Sequence, residues 1–194
     1  QPAGQKVLRR YALPRSGGTE RRNVHSLTVD SLGRVWATRW DDRIVSMLEN
    51  PAQEFHTVVQ LPFDPVSGSV CVYQDSLWVG LVNGVVLYSI RSHQILASYP
   101  LSNHFSLSAP APQVSQVIPF DFCRDNEGRI WVSTWHGIAV IHAQSASVQF
   151  FRHEPLNERS LTTNNVNTIY QDRSGIIWIG EAVYGLHKYT PLKY

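Results

Sequence analysis

The stretch DRSGIIWIG, residues 172–180, decides the fold. Asp-x-x-Gly is a tight-turn signal. The β-branched and aromatic run behind it reads as a strand with Trp178 at a core position. One such stretch predicts one hairpin. This one recurs, as DSLGRVWAT at 30–38, as DNEGRIWVS at 125–133, and in a shortened form, YQDSLWVG at 73–80, that has lost its glycine. Trp36, Trp78, Trp131 and Trp178 therefore mark about four copies of a unit of roughly 40 to 50 residues, the length of a four-stranded propeller blade.

Each copy has the same internal order. An alternating strand (23–30, 69–75, 118–125, 166–172) precedes the turn, the Trp strand follows it, and a loop leads to a third strand (43–48, 84–90, 137–143, 185–190). A more exposed fourth strand closes three of the units (55–62, 94–101, 148–155). The pattern predicts an all-β chain of about four four-stranded antiparallel blades, spanning 23–62, 69–101, 118–155 and 166–194. The last unit runs out without its outer strand, whereas KVLRRYALP at 6–14 is a spare strand of the same kind. Two arrangements fit: a closed four-bladed ring in which 6–14 pairs with the last blade, or part of a larger propeller in which 6–14 is the outer strand of a preceding blade. The second is the preferred reading.

Composition agrees with a folded repeat domain. The 194 residues are 43% hydrophobic, 11% aromatic and 16% charged, with a net charge of +2. The basic residues form pairs, Arg9-Arg10 and Arg21-Arg22, and no stripe, which argues against a nucleic-acid partner. No apolar run reaches the ~20 residues of a membrane span, so this segment is not expected to insert into a bilayer. The N-terminus has neither an initiator Met nor a signal-peptide core and reads as that of a mature product or an excised fragment. Cys71 and Cys123 have no CxxC or metal spacing and read as small apolar residues on adjacent inner strands, with their pairing left open. The eight histidines show no paired ligand spacing, and there is no nucleophile elbow or phosphate loop. No metal, cofactor or catalytic residue is expected.

The last unit carries the sharpest markers: Ser160-Leu161, Asn164 and Val166, Asp172 and Gly175, the Trp-Ile-Gly of Trp178, and Gly185-Leu186. With these it closely resembles the two-component regulator propeller repeat. The third unit keeps Asp125, Gly128, Trp131 and Gly137-Ile138. The first keeps Asp30, Gly33 and Trp36, and the second mainly the strand around Trp78 and Gly84. The resemblance implies a piece of the extracytoplasmic, periplasmic sensor of a bacterial membrane signalling protein. Hybrid two-component histidine kinases, many responsive to oligosaccharides, and some diguanylate cyclases are built this way. The implied partners are the remainder of the parent sensor protein, a second copy in a homodimer, and an oligosaccharide ligand.

Most repeat residues have structural readings. The four tryptophans are expected between blades, the aspartates on backbone N–H groups of their turns, and Gly33, Gly128 and Gly175 at φ > 0. Binding is expected on the loops between second and third strands, which fall on one face of every blade. They contribute Trp40, Asp41 and Asp42, then Asn83, then Trp135 and His136, then Tyr184. Trp40 and Trp135 each lie four residues beyond a structural Trp, where the turn exposes them. An aromatic platform beside carboxylates, an amide and an imidazole suits a sugar. Two other readings stay open: a propeller enzyme such as a polysaccharide lyase with His136 as base, and a scaffold whose rim meets only protein.

Overall fold

The computed structural model describes residues 9–14, 24–39, 43–62, 70–101 and 116–191. Its strands fall into four antiparallel sheets. The first holds β1 (Val24–Val29), β2 (Val35–Arg39), β3 (Ile44–Leu48) and β4 (His56–Gln60). The second holds β5 (Val70–Tyr73), β6 (Ser76–Leu81), β7 (Gly84–Ser89) and β8 (Ile95–Pro100). The third holds β9 (Pro119–Arg124), β10 (Ile130–Thr134), β11 (Gly137–His142) and β12 (Ser147–Phe151). The fourth has three strands, β13 (Val166–Gln171), β14 (Ile177–Glu181) and β15 (Gly185–Tyr189). Each sheet is a meander in strand order, the blade of a β-propeller, and the first strands of successive blades pack side by side, β1 on β5, β5 on β9 and β9 on β13.

Directly opposed residues of an antiparallel pair share a face, and this register sorts each blade into two. In the third blade Trp131 lies opposite Cys123 and Val140, while Val132 lies opposite Phe122 and Ala139. The Trp131 face packs forward on Ile177 and Ile179 of the fourth blade. The Val132 face packs back on Trp78, Val85 and Tyr99 of the second. Trp36 in turn faces Leu77 and Val79 of the second blade. The core is thus three apolar clusters in series, one per blade junction, each built on one repeat tryptophan. An indole burying ~200 Å² at about 25 cal/mol per Å² contributes at most about 5 kcal/mol.

Trp178 departs from that pattern. It is half-buried, and its blade face continues into exposed Tyr170 and Leu186. The opposite end of the series, on the first blade, exposes Leu27 and Val29. Among the described residues no fourth cluster joins the last blade to the first. Arg9 to Pro14 adopts no regular strand. It runs along the first blade, with Arg9 Nη1 and the Tyr11 hydroxyl both donating to the Pro51 carbonyl (2.8 and 2.7 Å) and Arg39 donating to the Leu13 carbonyl. That path leads from the β3–β4 turn to the β2–β3 end of the first blade. Residues 6–8 lie outside the described residues.

The repeat turns explain why the motif needs its spacing. Asp125 Oδ1 accepts from the amides of Glu127 and Arg129 (3.0 and 2.8 Å), and Oδ2 accepts from Arg129 Nε and from the indole Nε1 of Trp131 (2.6 and 2.8 Å). Asp30 does the same with Leu32, Arg34 and Trp36, and Asp172 with Ser174, Ile176 and Trp178. One carboxylate closes the turn and fixes the ring six residues on. Gly33, Gly128 and Gly175 take φ of 78°, 81° and 86° in these turns. The second blade replaces the device with a two-residue turn in which Gln74 has φ 53°, and Trp78 is held by packing on Tyr99 at 5.5 Å. Cys71 and Cys123 sit on the adjacent inner strands β5 and β9 as free, half-buried thiols. Burial pushes them up to about 12 and about 11, so neither is a ready nucleophile.

Candidate functional site

In the second, third and fourth blades the described loops between second and third strands lie at the end opposite the turn between first and second strands. In the third blade the loop is Trp135-His136. Thr134 Oγ1 donates to the Gly137 carbonyl and accepts from the His136 amide, both at 2.9 Å, and Gly137 turns the chain with φ 110°. This tight closure leaves no room for the Trp135 side chain inside. The indole is 55% exposed and lies on the ring of Phe120, centroids 4.7 Å apart. Phe120 belongs to β9, so the platform stands on the inner strand and is fixed from below.

His136 is turned further in and is half-buried. Burial first, and the nearby Arg152 guanidinium second, hold its imidazole below the ordinary histidine value, so it is neutral at pH 7. In the fourth blade the corresponding loop exposes Tyr184 (65%) and Val183. The same loop begins at Glu181, whose side chain is fully buried, with Oε1 accepting from the Thr163 amide (3.0 Å) and lying 3.1 Å from His187 Nε2. His187 also reaches Thr162 Oγ1 at 3.1 Å, so it belongs to a loop-fixing network where its sequence setting suggests an ordinary strand residue. Asn83, with φ 65°, clips the second blade to the segment entering the third. Its Oδ1 accepts from the Val117 amide at 2.7 Å, and its own amide donates to the Val117 carbonyl at 2.8 Å. Trp40, Asp41 and Asp42 lie outside the described residues.

Of the expected site residues, then, Trp135 and Tyr184 present aromatic surface on adjacent blades at one end of the molecule. His136 lies beside Trp135 but deeper, and Asn83 has its carbonyl oxygen committed to the backbone. Sequence reading missed Phe120, the support of the platform. Its signal was the alternation in IPFDFCRD, which puts Phe120 and Asp121 on opposite faces. Asp121 was missed too: its Oδ2 accepts from Thr168 Oγ1 (2.7 Å) and the Ile169 amide (3.0 Å), tying the inner strands of the third and fourth blades together. Among the described residues no group of three His, Cys, Asp or Glu side chains could hold a metal ion. Nor, among the described residues, is any helix long and apolar enough to cross a membrane.

The two-component regulator propeller profile matches residues 113–136 and 160–180, the segments that contain Trp131 with Trp135 and His136, and Trp178. No curated protein matches the sequence. Among solved structures, the extracellular domain of a hybrid two-component system from B. thetaiotaomicron aligns with a TM-score of 0.64 at 17% identity. The alignment covers 90% of this chain and 22% of that one. Virginiamycin B lyase from Staphylococcus aureus aligns at 0.53 and 14% identity (87% and 55% covered), and the WD40 propeller domain of Doa1 at 0.60 and 12% (90% and 53%). At these identities the likeness is one of fold. The chain spans about a fifth of the length of that extracellular domain.

Proposed function

We propose, from the premise that this chain carries two-component regulator propeller repeats, that it is a segment of the extracytoplasmic input domain of a bacterial signal-transduction protein. Its rim would take an oligosaccharide or a partner domain. The observation that carries the reading is Trp135, an indole turned to solvent by a tight, fully bonded turn and backed by Phe120. A flat apolar ring with fixed support is what the C–H face of a sugar packs on, and it loses little side-chain entropy on binding. The fold likeness to an extracellular two-component domain supports the same compartment and role. A sensor must also favour one of two states of its parent when the ligand binds, since a ligand shifts an equilibrium only through differential affinity. Contacts to loops of two adjacent blades supply a means, because they bias the angle between those blades.

The test is fluorescence titration of the purified chain with neutral and acidic oligosaccharides, repeated with Trp135→Ala. Saturable binding in the parent chain and at least tenfold weaker binding in a variant with the same melt supports the rim. Equal binding by both refutes it. A lyase reading has one observation in its favour, the neutral, partly shielded His136 imidazole, which suits a general base. It predicts turnover of the bound sugar that disappears in His136→Ala, whereas the sensor binds without turnover.

A further inference from the structure

A cleft lies between the second and third blades, at the end opposite Trp135. Its volume is about 390 Å³, within the roughly 300–1,000 Å³ of small-molecule sites. Arg124, the last residue of β9, lines it and reaches across the junction. Its guanidinium carbon stands 3.6 Å from the centre of the Tyr73 ring, at the end of β5. Nη2 lies beside Gly128, where a Cβ would stand 3.2 Å from it. The ring fixes the guanidinium but accepts none of its N–H bonds in the plane. Among the described residues the Arg124 side chain makes no ion pair and no hydrogen bond. The repeat itself supplies a control. The position before the repeat aspartate is Val29 in the first copy and Gln171 in the fourth. Gln171 Nε2 donates to the Gly175 carbonyl of its own turn at 3.2 Å, so the blade itself does not need a cation there. The other charges of the cleft are already engaged. Arg129 Nε and Nη1 hold Asp125 and Glu127 at 2.6 and 3.1 Å. Two carboxylates on one guanidinium leave one negative charge, which Arg124 balances. His142 is the remaining titratable group of the lining.

We infer that this cleft binds a small polar solute through a single carboxylate held by the Arg124 guanidinium. A planar fork stacked on a ring presents parallel N–H donors at its edge, the geometry that a carboxylate accepts with both oxygens. A dianion such as phosphate fits less well, because it sets a second negative charge beside Glu127. Ser76 and Gln144 line the same cleft and offer neutral donors and acceptors to hydroxyls next to the carboxylate. An acidic sugar and a simple hydroxy acid share this chemistry. The charges of the empty cleft already balance, so geometry rather than net attraction supplies the affinity, and binding is expected in the millimolar range. The site is separate from the rim and does not rest on the reading of Trp135.

The test is a nuclear magnetic resonance titration of the intact chain, following the Arg124 Nε–H and Gly128 amide signals. The probes are galacturonate and lactate, which carry the carboxylate, and galactose and the methyl ester of galacturonate, which do not. The expected result is a saturable shift of both signals with the two acids and none with the neutral sugars. Tighter binding of galacturonate assigns the site to acidic sugars, and equal binding assigns it to the carboxylate alone; either supports the inference. Arg124→Gln, which installs the side chain of the fourth blade, should weaken binding at least tenfold with the same melt. Arg124→Lys keeps the charge but loses the fork, and should also bind more weakly than the parent chain. Trp135→Ala should bind both acids as the parent does, which separates this site from the rim. The inference is overturned by the absence of a shift at tens of millimolar of either acid, by equal shifts with galactose, by tighter binding of inorganic phosphate than of lactate, or by undiminished binding in Arg124→Gln.

Discussion

At the residue scale the fold turns on the bond between each repeat aspartate and the indole six residues later. Asp125 is 1% exposed, and Trp131 Nε1 is one of four donors to its carboxylate. Trp131→Phe keeps most of the ring but leaves that buried charge one donor short. It should cost about 1.5–3 kcal/mol, read as a lower urea midpoint with an unchanged slope. The same chemistry sets the response to acid. Hydrogen bonds from Ser174 and Trp178 hold Asp172 down to about 2. For Asp30, burial raises the carboxyl, but the bonds from Trp36, Arg34 and Leu32 outweigh it and leave it below its ordinary value. A lowered carboxylate stabilises the fold fully above its unfolded value near ~3.9, and loses that contribution as pH falls through the folded value. His25 and His136 are also lowered, by burial, so the unfolded chain takes up their protons first as pH drops below ~6.5. The melting temperature should therefore fall in two stages, one starting near pH ~6.5 and one between pH ~4 and about 2. Asp172→Asn should flatten the second stage only.

At the scale of the element, two glycines of the repeat separate conformational strain from lack of space. Gly33 has φ 78° with no atom within 4 Å of where a Cβ would stand, so Gly33→Ala should cost only the left-handed strain, about 1–2 kcal/mol. Gly137 has φ 110°, and a Cβ there would collide with the Phe151 carbonyl of the neighbouring strand. Gly137→Ala should cost more than about 3 kcal/mol and disturb the turn that presents Trp135. Thermal denaturation of the two variants side by side checks the ordering. The elements themselves were legible in the sequence, because turn signal, alternation and spacing all agree in the first, third and fourth copies. The second copy was legible from its alternation and its Trp strand without the turn motif, since its shorter turn dispenses with both the glycine and the aspartate–indole bond. What spacing could not show is where a loop side chain ends up. Asn83, Trp135 and His136 occupy equivalent loops, yet one clips backbone, one stands in solvent and one is half-buried, the first two as decided by Val117 and Phe120 from elsewhere in the chain.

At the scale of the molecule, the blades form a series in which each tryptophan face needs the back of the next blade. Trp36, Trp78 and Trp131 have that neighbour, whereas Trp178, with Tyr170 and Leu186 beside it, faces outward. The four repeats were readable from the recurring motif, but this difference was not, because the motifs around Trp131 and Trp178 look alike. It has a measurable consequence: Trp178→Ala should lower the melting temperature by fewer degrees than Trp131→Ala, which opens a cavity in a closed cluster. The series also orients the rim, since in the second, third and fourth blades the loop between second and third strands lies at the end of the blade opposite the turn between first and second strands.

The measurement that tests the central claim most directly is a thermal-shift screen of the chain, and of Trp135→Ala, against a panel of oligosaccharides. A ligand at 100 times its dissociation constant adds about 2.7 kcal/mol of stability. The sensor-rim account predicts a saturable upward shift with at least one member of the panel that the variant lacks. A shift of equal size in both proteins would contradict it, and a sharp cooperative melt that no sugar moves would contradict the oligosaccharide reading of the rim.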